Sequence, residues 1–573
     1  MQAWIDGDLG DAGSPDRAEL TDLLARAASD PAVAEDLHER FVAPLEFGTA
    51  GLRGLLGVGV NRMNRAVVVR TTAGLAAALE KLVPDAKKRG VVIGYDGRRQ
   101  SDVFAKDAAD VLLAAGFRVF AFGEPEPTPL IAFAVKDTGA AAGIMVTASH
   151  NPPEYNGYKV YWENGAQIIP PIDQEIAAAI AAAPAAKDVV RTGGGTAEAL
   201  GLEIEQRYLD GAMSLSLSRA GERGLCIVHT ALHGVGTKLV RQLLGRAGFS
   251  KVISVAEQAE PDGEFPTVRF PNPEEKGAMD LAYQTGRAHG ADLILANDPD
   301  ADRLSVAVPD GAGGYVQLTG NEVGALLGHY VMTRGPQGQN VVLCSLVSSP
   351  MLGVMAEALG VRHEETLTGF KWIANRALAL EAEAGVRFEF GFEEALGYTV
   401  GQLVRDKDGV SAALIFAELA AQLHAEKKTV QGALLALAAQ YGVFVSSQLT
   451  VTKPGEKGAA ELRAIMTSLR NEKIAEIAGV KVLSTTDVGG GIRSFADGRP
   501  NETLSMPSSD VLVWQLEGGS RIIARPSGTE PKAKVYFDVR EPVAPGEAPA
   551  VARERALARM AELEAAMKAR LGL

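Results

Sequence analysis

Ala140-Ala141-Ala142-Gly143-Ile144-Met145-Val146 runs straight into Thr147-Ala148-Ser149-His150-Asn151-Pro152-Pro153. The first seven residues are small or apolar and read as a buried strand. The two prolines then break the chain, because proline removes a backbone donor and restricts the residue before it. Ser149 is therefore expected just past a strand end, in a loop held by rigid neighbours. Asn156-Gly157 is a hairpin signal, with Tyr158-Lys159-Val160-Tyr161-Trp162 as the next strand. That arrangement would return Lys159 to the neighbourhood of Ser149. A lone serine hydroxyl is a poor nucleophile, so an activator or charge partner must come from elsewhere in the chain.

Outward from this stretch the pattern alternates. Residues 16–43 read as a helical lead-in, followed by the glycine-dense loop Phe47-Gly48-Thr49-Ala50-Gly51-Leu52-Arg53-Gly54. A helix from Ala66 to Val83 stops at Pro84, and Val91 to Tyr95 is a strand that ends in the turn Asp96-Gly97-Arg98-Arg99. A helix from Asp107 to Gly116 and a strand from Arg118 to Phe122 follow. Such alternation argues for a mainly parallel sheet with helices on both faces. It restarts at Leu225-Cys226-Ile227-Val228 and again at Asn340-Val341-Val342-Leu343-Cys344. From about Gly442 short strands precede a helix at Val551 to Leu571, which reads as a separate α+β domain. The expected division is 1–205, 206–319, 320–440 and 441–573.

The chain has 573 residues, too many for one hydrophobic core. A net charge of -14 argues against nucleic acid or an anionic membrane as partner, so an anionic substrate needs a local basic patch. Cys226 and Cys344 lack ligand-like spacing, which leaves neither a disulfide framework nor a zinc site. With no signal-like start and no apolar run of about 18 residues, a cytoplasmic location is expected. No obligatory protein partner is evident.

Asp292 to Ala296 reads as a strand that ends in Asn297-Asp298-Pro299-Asp300-Ala301-Asp302-Arg303. Three carboxylates on one tight turn repel unless a cation neutralises them, and hard oxygen ligands suit Mg²⁺ or Ca²⁺. A solvated acidic turn is the alternative for this motif alone. The EF-hand pattern fits poorly, since Arg303 and Pro309 stand where Gly and Glu belong. Arg525-Pro526-Ser527-Gly528-Thr529-Glu530-Pro531-Lys532 offers a guanidinium fork, hydroxyls and exposed N–H groups, a set that can cradle a phosphate monoester. A plain turn is the alternative there. Gly391-Phe392-Glu393-Glu394-Ala395-Leu396-Gly397-Tyr398 puts two carboxylates on a loop, suited to sugar hydroxyls. Thr368-Gly369-Phe370-Lys371-Trp372 brings a cation and an aromatic together, and Arg405-Asp406-Lys407-Asp408 supplies another lysine.

Taken together and in this order, these motifs resemble the α-D-phosphohexomutases, the family of phosphoglucomutase and phosphomannomutase. The resemblance runs from residue 47 to about 534. The stretches at Phe47 to Gly54 and Leu367 to Trp372 look most like the branch of bacterial phosphoglucomutases and phosphopentomutase-like enzymes. The resemblance implies three related α/β domains with mixed, largely parallel sheets, plus a smaller C-terminal domain, around a central cleft. By it Ser149 matches the phosphoserine, and Ser149, Asp298, Asp300 and Asp302 match the ligands of one Mg²⁺ per chain. Arg303, Thr368, Gly369, Lys371 and Glu393 match sugar-binding positions. Arg525, Ser527, Gly528 and Thr529 match the anchor of the non-reacting phosphate. His150, Lys159 and Lys407 match candidates for proton transfer, with Arg53 beside the transferred group. Ala395 stands where many members carry serine, and Tyr398 near a histidine of the phosphomannomutase branch, which leaves the general acid/base and the sugar open.

The implied reaction is interconversion of glucose 1-phosphate and glucose 6-phosphate through glucose 1,6-bisphosphate. Phosphomannomutase or phosphopentomutase activity on the same scaffold is the alternative. A non-catalytic sugar-phosphate or Mg²⁺ binder is a third reading. A serine hydrolase fits worst, for want of a Gly-x-Ser-x-Gly elbow.

Overall fold

The computed structural model describes residues 1, 4–5, 15–48, 51–218, 223–453, 455–526 and 532–572, the side chains at 455–457 and 459 excepted. Internal packing divides the chain into two units: residues 1–323, 369–384 and 388–422, and residues 324–368, 385–387 and 423–573.

In the first unit, β1 (Leu52–Leu55), β2 (Val91–Tyr95), β3 (Val119–Phe122), β4 (Ala142–Val146), β5 (Tyr155–Trp162) and β6 (Glu198–Leu200) form a sheet in the order β1-β5-β4-β2-β3-β6. β2 runs parallel to β3 and β4, and β3 to β6, whereas β5 is antiparallel to both β4 and β1. The helices Ser101–Ala114 and Thr128–Thr138 both pack against β2 and β4. β4 is consequently buried along its whole length, which is why its sequence is an unbroken apolar run rather than an alternating one. The helix Arg65–Leu82 starts where expected because the Asn64 side chain caps it, accepting from the Val67 N–H.

One expectation for this sheet fails. Asn156-Gly157 is not a hairpin turn but lies inside β5, and residues 147–154 make the connection from β4. Gly157 is there for space: a Cβ would stand 2.5 Å from the Thr147 carbonyl oxygen and 2.7 Å from that of Leu52. The signal that suggested a turn is a close approach of three strand segments.

β7 (Cys226–Thr230), β8 (Lys251–Ser254), β9 (Leu293–Ala296), β10 (Ser305–Pro309) and β11 (Tyr315–Gln317) form the next sheet in the order β11-β10-β9-β7-β8. β7 is parallel to β8 and β9, and the β9-β10-β11 edge is antiparallel. Both sheets are thus mixed, parallel in the middle and closed by returning strands. Farther along, β12 (Gln339–Ser345) and β13 (Arg362–Thr366) pair in parallel within the second unit. β14 (Val386–Glu393) and β15 (Gly397–Val400) make a hairpin whose paired residues belong to the first.

The second unit also holds β16 (Val443–Thr452), β17 (Glu476–Ile477), β18 (Val480–Asp487), β19 (Ile492–Phe495), β20 (Glu502–Thr503), β21 (Leu512–Leu516), β22 (Arg521–Pro526) and β23 (Lys532–Glu541). They form an antiparallel sheet in the order β16-β23-β22-β21-β18-β19-β20, with β17 on β18. One face buries Leu512, Trp514, Leu516 and Phe537 against Met560, Leu563 and Met567 of the helix Pro549–Leu571. Among the described residues no helix is long and apolar enough to cross a membrane.

Candidate active site

Two strand ends bring the candidate residues together, at the carboxyl edge where open α/β sheets place their ligands. Ser149 follows β4 and Asp298, Asp300 and Asp302 follow β9. Ser149 has a φ of +53°, a left-handed conformation that costs a non-glycine residue about 1–2 kcal/mol. The surroundings hold it there. Its N–H donates to Thr147 Oγ1 (2.9 Å), whose own hydroxyl donates to Asp96 (2.6 Å). The buried Arg98 guanidinium donates to the carbonyls of Ser149, Asn151, Pro152 and Tyr155, so one side chain fastens the whole loop. Arg53 Nη1 donates to Asn151 Oδ1 at 3.0 Å. Burial first, and then the Arg303 charge, push Arg53 down to about 10, which leaves it cationic at neutral pH.

The Ser149 hydroxyl donates to Asp298 Oδ2 at 2.8 Å and lies 3.2 Å from His150 Nδ1. Asp298, Asp300 and Asp302 are all buried, and one oxygen of each falls within 4.8 Å of the others. Burial, then the charges of Asp300 and Asp302, raise Asp298 well above the usual carboxylate value. Burial also raises Asp300, but the Lys159 ammonium outweighs it and the net shift is downward. Lys159 Nζ sits 2.7 Å from Asp300 and 3.0 Å from Asp302, while Lys407 Nζ is 3.1 Å from Asp302. Lys159 thus reaches Asp300 and Asp302, on the same turn as the Asp298 on which Ser149 rests, rather than Ser149 itself. Burial pushes His150 well below its ordinary value, and the Arg303 and Arg53 charges add to this, so the ring is neutral.

The residues fit a hard divalent cation. Asp300 Oδ1 and Asp302 Oδ1 are buried without a hydrogen-bond partner, although each is a full carboxylate oxygen in a closed space. Leaving such an atom unpaired costs about 1–3 kcal/mol or more, and an oxygen-coordinated ion satisfies both at once.

The remaining motifs are placed as follows. Arg303 donates to the Ala395 carbonyl (2.6 Å) and its N–H to Asp298 Oδ1 (3.0 Å), which ties the aspartate turn to the β14–β15 hairpin. Ala395 therefore contributes its backbone. Glu393 is the last residue of β14 rather than a loop residue, and its carboxylate accepts from the Gly369 N–H at 2.7 Å. Burial, then the neighbouring Glu394, pushes it up to about 7. Lys371 turns to the Gly48 carbonyl (3.2 Å), and Thr368 belongs to the second unit. Arg525 lies on β22 opposite Lys534. Ser527, Gly528 and Thr529 are outside the described residues.

Three family descriptions match the chain: phosphoglucomutase/phosphomannomutase alpha/beta/alpha domain I over residues 44–187, domain II over 206–312 and domain III over 319–441. The chain belongs to the phosphoglucomutase/phosphomannomutase family. It is 43% identical to a Haemophilus influenzae protein named "Probable phosphomannomutase", over 83% of this chain and 93% of the relative. It is 37% identical to human "Phosphopentomutase", over 89% of this chain and 87% of that one. The solved open form of parafusin, a phosphoglucomutase from Paramecium, shares the fold with a TM-score of 0.66 at 18% identity, covering 92% of this chain and 96% of that one. As a member of this family the chain is a phosphosugar mutase.

Four residues of this candidate site escape a reading of the sequence. Arg98 and Asp96 brace the Ser149 loop, yet in sequence they are a polar turn after β2. Thr128 donates to Asp300 Oδ2 at 2.7 Å across 172 residues of chain. Asp406 accepts from Tyr161 (2.7 Å) and Gln167 (2.6 Å) while holding Lys407, whereas in sequence only the lysine stands out. Arg98→Lys keeps the charge but cannot reach four carbonyls. It is expected to cut mutase kcat roughly 100-fold through misplacement of Ser149, with an unchanged circular dichroism spectrum. A variant of near-normal kcat would show that the loop holds itself.

Proposed function

We propose that this mutase works through a phosphoserine at Ser149 and moves a phosphoryl group between the ends of an aldose phosphate. The observation that carries the reading is Ser149 Oγ resting 2.8 Å from Asp298 in a carboxylate triad with two unsatisfied oxygens. One Mg²⁺ held by Asp298, Asp300 and Asp302 would supply Lewis-acid withdrawal of charge from the phosphoryl oxygens.

The chain's own residues do the rest. Lys159 and Lys407 fix the carboxylates, and Arg53 adds positive charge beside the Ser149 loop, since phosphoryl transfer is mostly positioning and electrostatics. The bond from phosphorus to Ser149 Oγ breaks as an oxygen of the sugar bonds to phosphorus, and the proton of the sugar hydroxyl passes to a base and from it to Ser149 Oγ as that oxygen leaves. Among the three proton-transfer candidates both lysines are raised by their carboxylates and hold their protons, whereas His150 is neutral. We assign the proton to His150 Nδ1. The bisphosphate then turns over and returns its other phosphoryl group to Ser149, with glucose 1,6-bisphosphate the form expected for a glucose substrate. The Arg525 loop serves as anchor for the phosphate that is not reacting. Glu393, backed by the Gly369 N–H, receives sugar hydroxyls in both orientations.

For the sugar, glucose 1-phosphate is the first reading. The human relative named for pentose phosphates favours ribose 1-phosphate as the second. Comparing kcat/KM on glucose, mannose and ribose 1-phosphates decides. A ratio above about tenfold for ribose over glucose would overturn the glucose assignment, and no turnover of any of them would overturn the mutase reading.

A further inference from the structure

The open face of the C-terminal sheet carries a pocket, lined by arginines and hydroxyls on one part and by apolar side chains on the rest, for which the chemistry above has no use. Directly opposed residues of an antiparallel sheet project to the same face. One such row runs Phe495–Ser484–Gln515–Arg521–Asp538 across β19, β18, β21, β22 and β23. The neighbouring row brings Arg493 opposite Thr486. Trp514, one position from Gln515, points the other way into the core. All of these except Asp538 and Trp514 line a pocket of about 270 Å³, to which Glu365, Arg499 and apolar side chains such as Leu504 and Met506 also contribute. That is room for a small ester but not for a nucleotide.

The donors converge unevenly. Arg521 is pinned, with Nε 2.8 Å from Asp538 and Nη1 2.5 Å from Glu365. Arg493 is anchored at Nε by Thr486 Oγ1 (3.1 Å), and its carboxylate partner Glu502 stands off at 3.5 Å. Arg499 rests on the Phe495 ring, 3.9 Å from Asp497. Half-exposed pairs at such distances hold weakly, whereas a guanidinium gains two charge-assisted bonds from a phosphate. Hydroxyls of Ser484 and Thr486 and the Gln515 amide complete a set suited to phosphate oxygens.

We propose that this pocket binds the phosphate group of a small phosphate ester, at a site separate from the Arg525 loop. Arg521 and Arg525 share β22, four residues and so roughly 13 Å apart. An anion among Arg493, Arg499 and Arg521 also competes for the Arg521–Glu365 pair, which joins β22 to the strand that leads into Thr368. Occupancy is thereby linked to both substrate loops of this unit.

The test is calorimetric titration of inorganic phosphate into the full-length protein. Wild type is expected to show saturable binding, of which one component is lost in Arg525→Ala and another survives. The double variant Arg493→Gln/Arg499→Gln is expected to weaken that surviving component at least about tenfold while keeping basal turnover within about twofold. Thr486→Val keeps both arginines and removes one hydroxyl, for a weakening of roughly threefold. Three results overturn the proposal. They are an isotherm unaltered in the double variant, loss of all phosphate heat in Arg525→Ala, and loss of turnover in the folded double variant, which would make the pocket part of the catalytic site.

Discussion

Ser149→Ala is expected to lower mutase turnover by at least roughly 10⁴-fold, as loss of a covalent nucleophile does elsewhere. The proposed mechanism offers no second protein acceptor: in it every phosphoryl transfer passes through Ser149 Oγ. Folding should survive, because the left-handed backbone at 149 is held by Thr147 and Arg98 rather than by the hydroxyl. The hydroxyl's one donated bond goes to Asp298, which keeps the Arg303 N–H as a donor when the hydroxyl is gone. The measurement is turnover of glucose 1-phosphate with bisphosphate present, beside intact-mass detection of phosphate on wild type and variant. Folded variant within tenfold of wild type would end the phosphoserine route.

Removal of the metal should have the next largest effect. Chelation is expected to lower kcat roughly 10³-fold, reversibly on adding Mg²⁺, because the electrostatic contribution dominates phosphoryl transfer. It should also lower the melting temperature. A cation that binds only the folded state at one hundred times its Kd contributes about 2.7 kcal/mol. Three buried carboxylates face Lys159, Lys407 and Arg303, and two of their oxygens have no donor, so the folded chain has most to gain from the ion. Asp300→Asn replaces one carboxylate ligand by an amide and removes one of the two carboxylates that pair with Lys159. A Mg²⁺-induced melting shift as large in that variant as in wild type would remove the triad as the site.

How much of this was legible beforehand follows from how each residue makes its contacts. β4 and β9 were readable because a strand covered on both faces must be apolar throughout, and the polar break after it marks the strand end. The aspartate triad was readable because its repulsion is local. Lys159 was placed by a turn that does not exist, since Asn156-Gly157 serves a close strand contact. Arg98 was invisible for a different reason. Its partners are backbone carbonyls 51 to 57 residues away, and a carbonyl leaves no trace in the choice of amino acid. Thr128 and Asp406 likewise act at a distance in sequence, through side-chain hydrogen bonds that any threonine or aspartate can make. The tie from Arg303 to Ala395 is again made to a carbonyl, so the missing serine there gave no hint of what the position supplies.

The bracing of residues 147–155 from the turn after β2 has a practical corollary for protein engineering. Grafting the six-residue nucleophile segment into a foreign scaffold would import a reactive hydroxyl without the guanidinium that dictates its posture. Asp96 and Arg98 would have to travel with it, at matched spacing, for the transplanted serine to present its oxygen to a neighbouring acidic cluster.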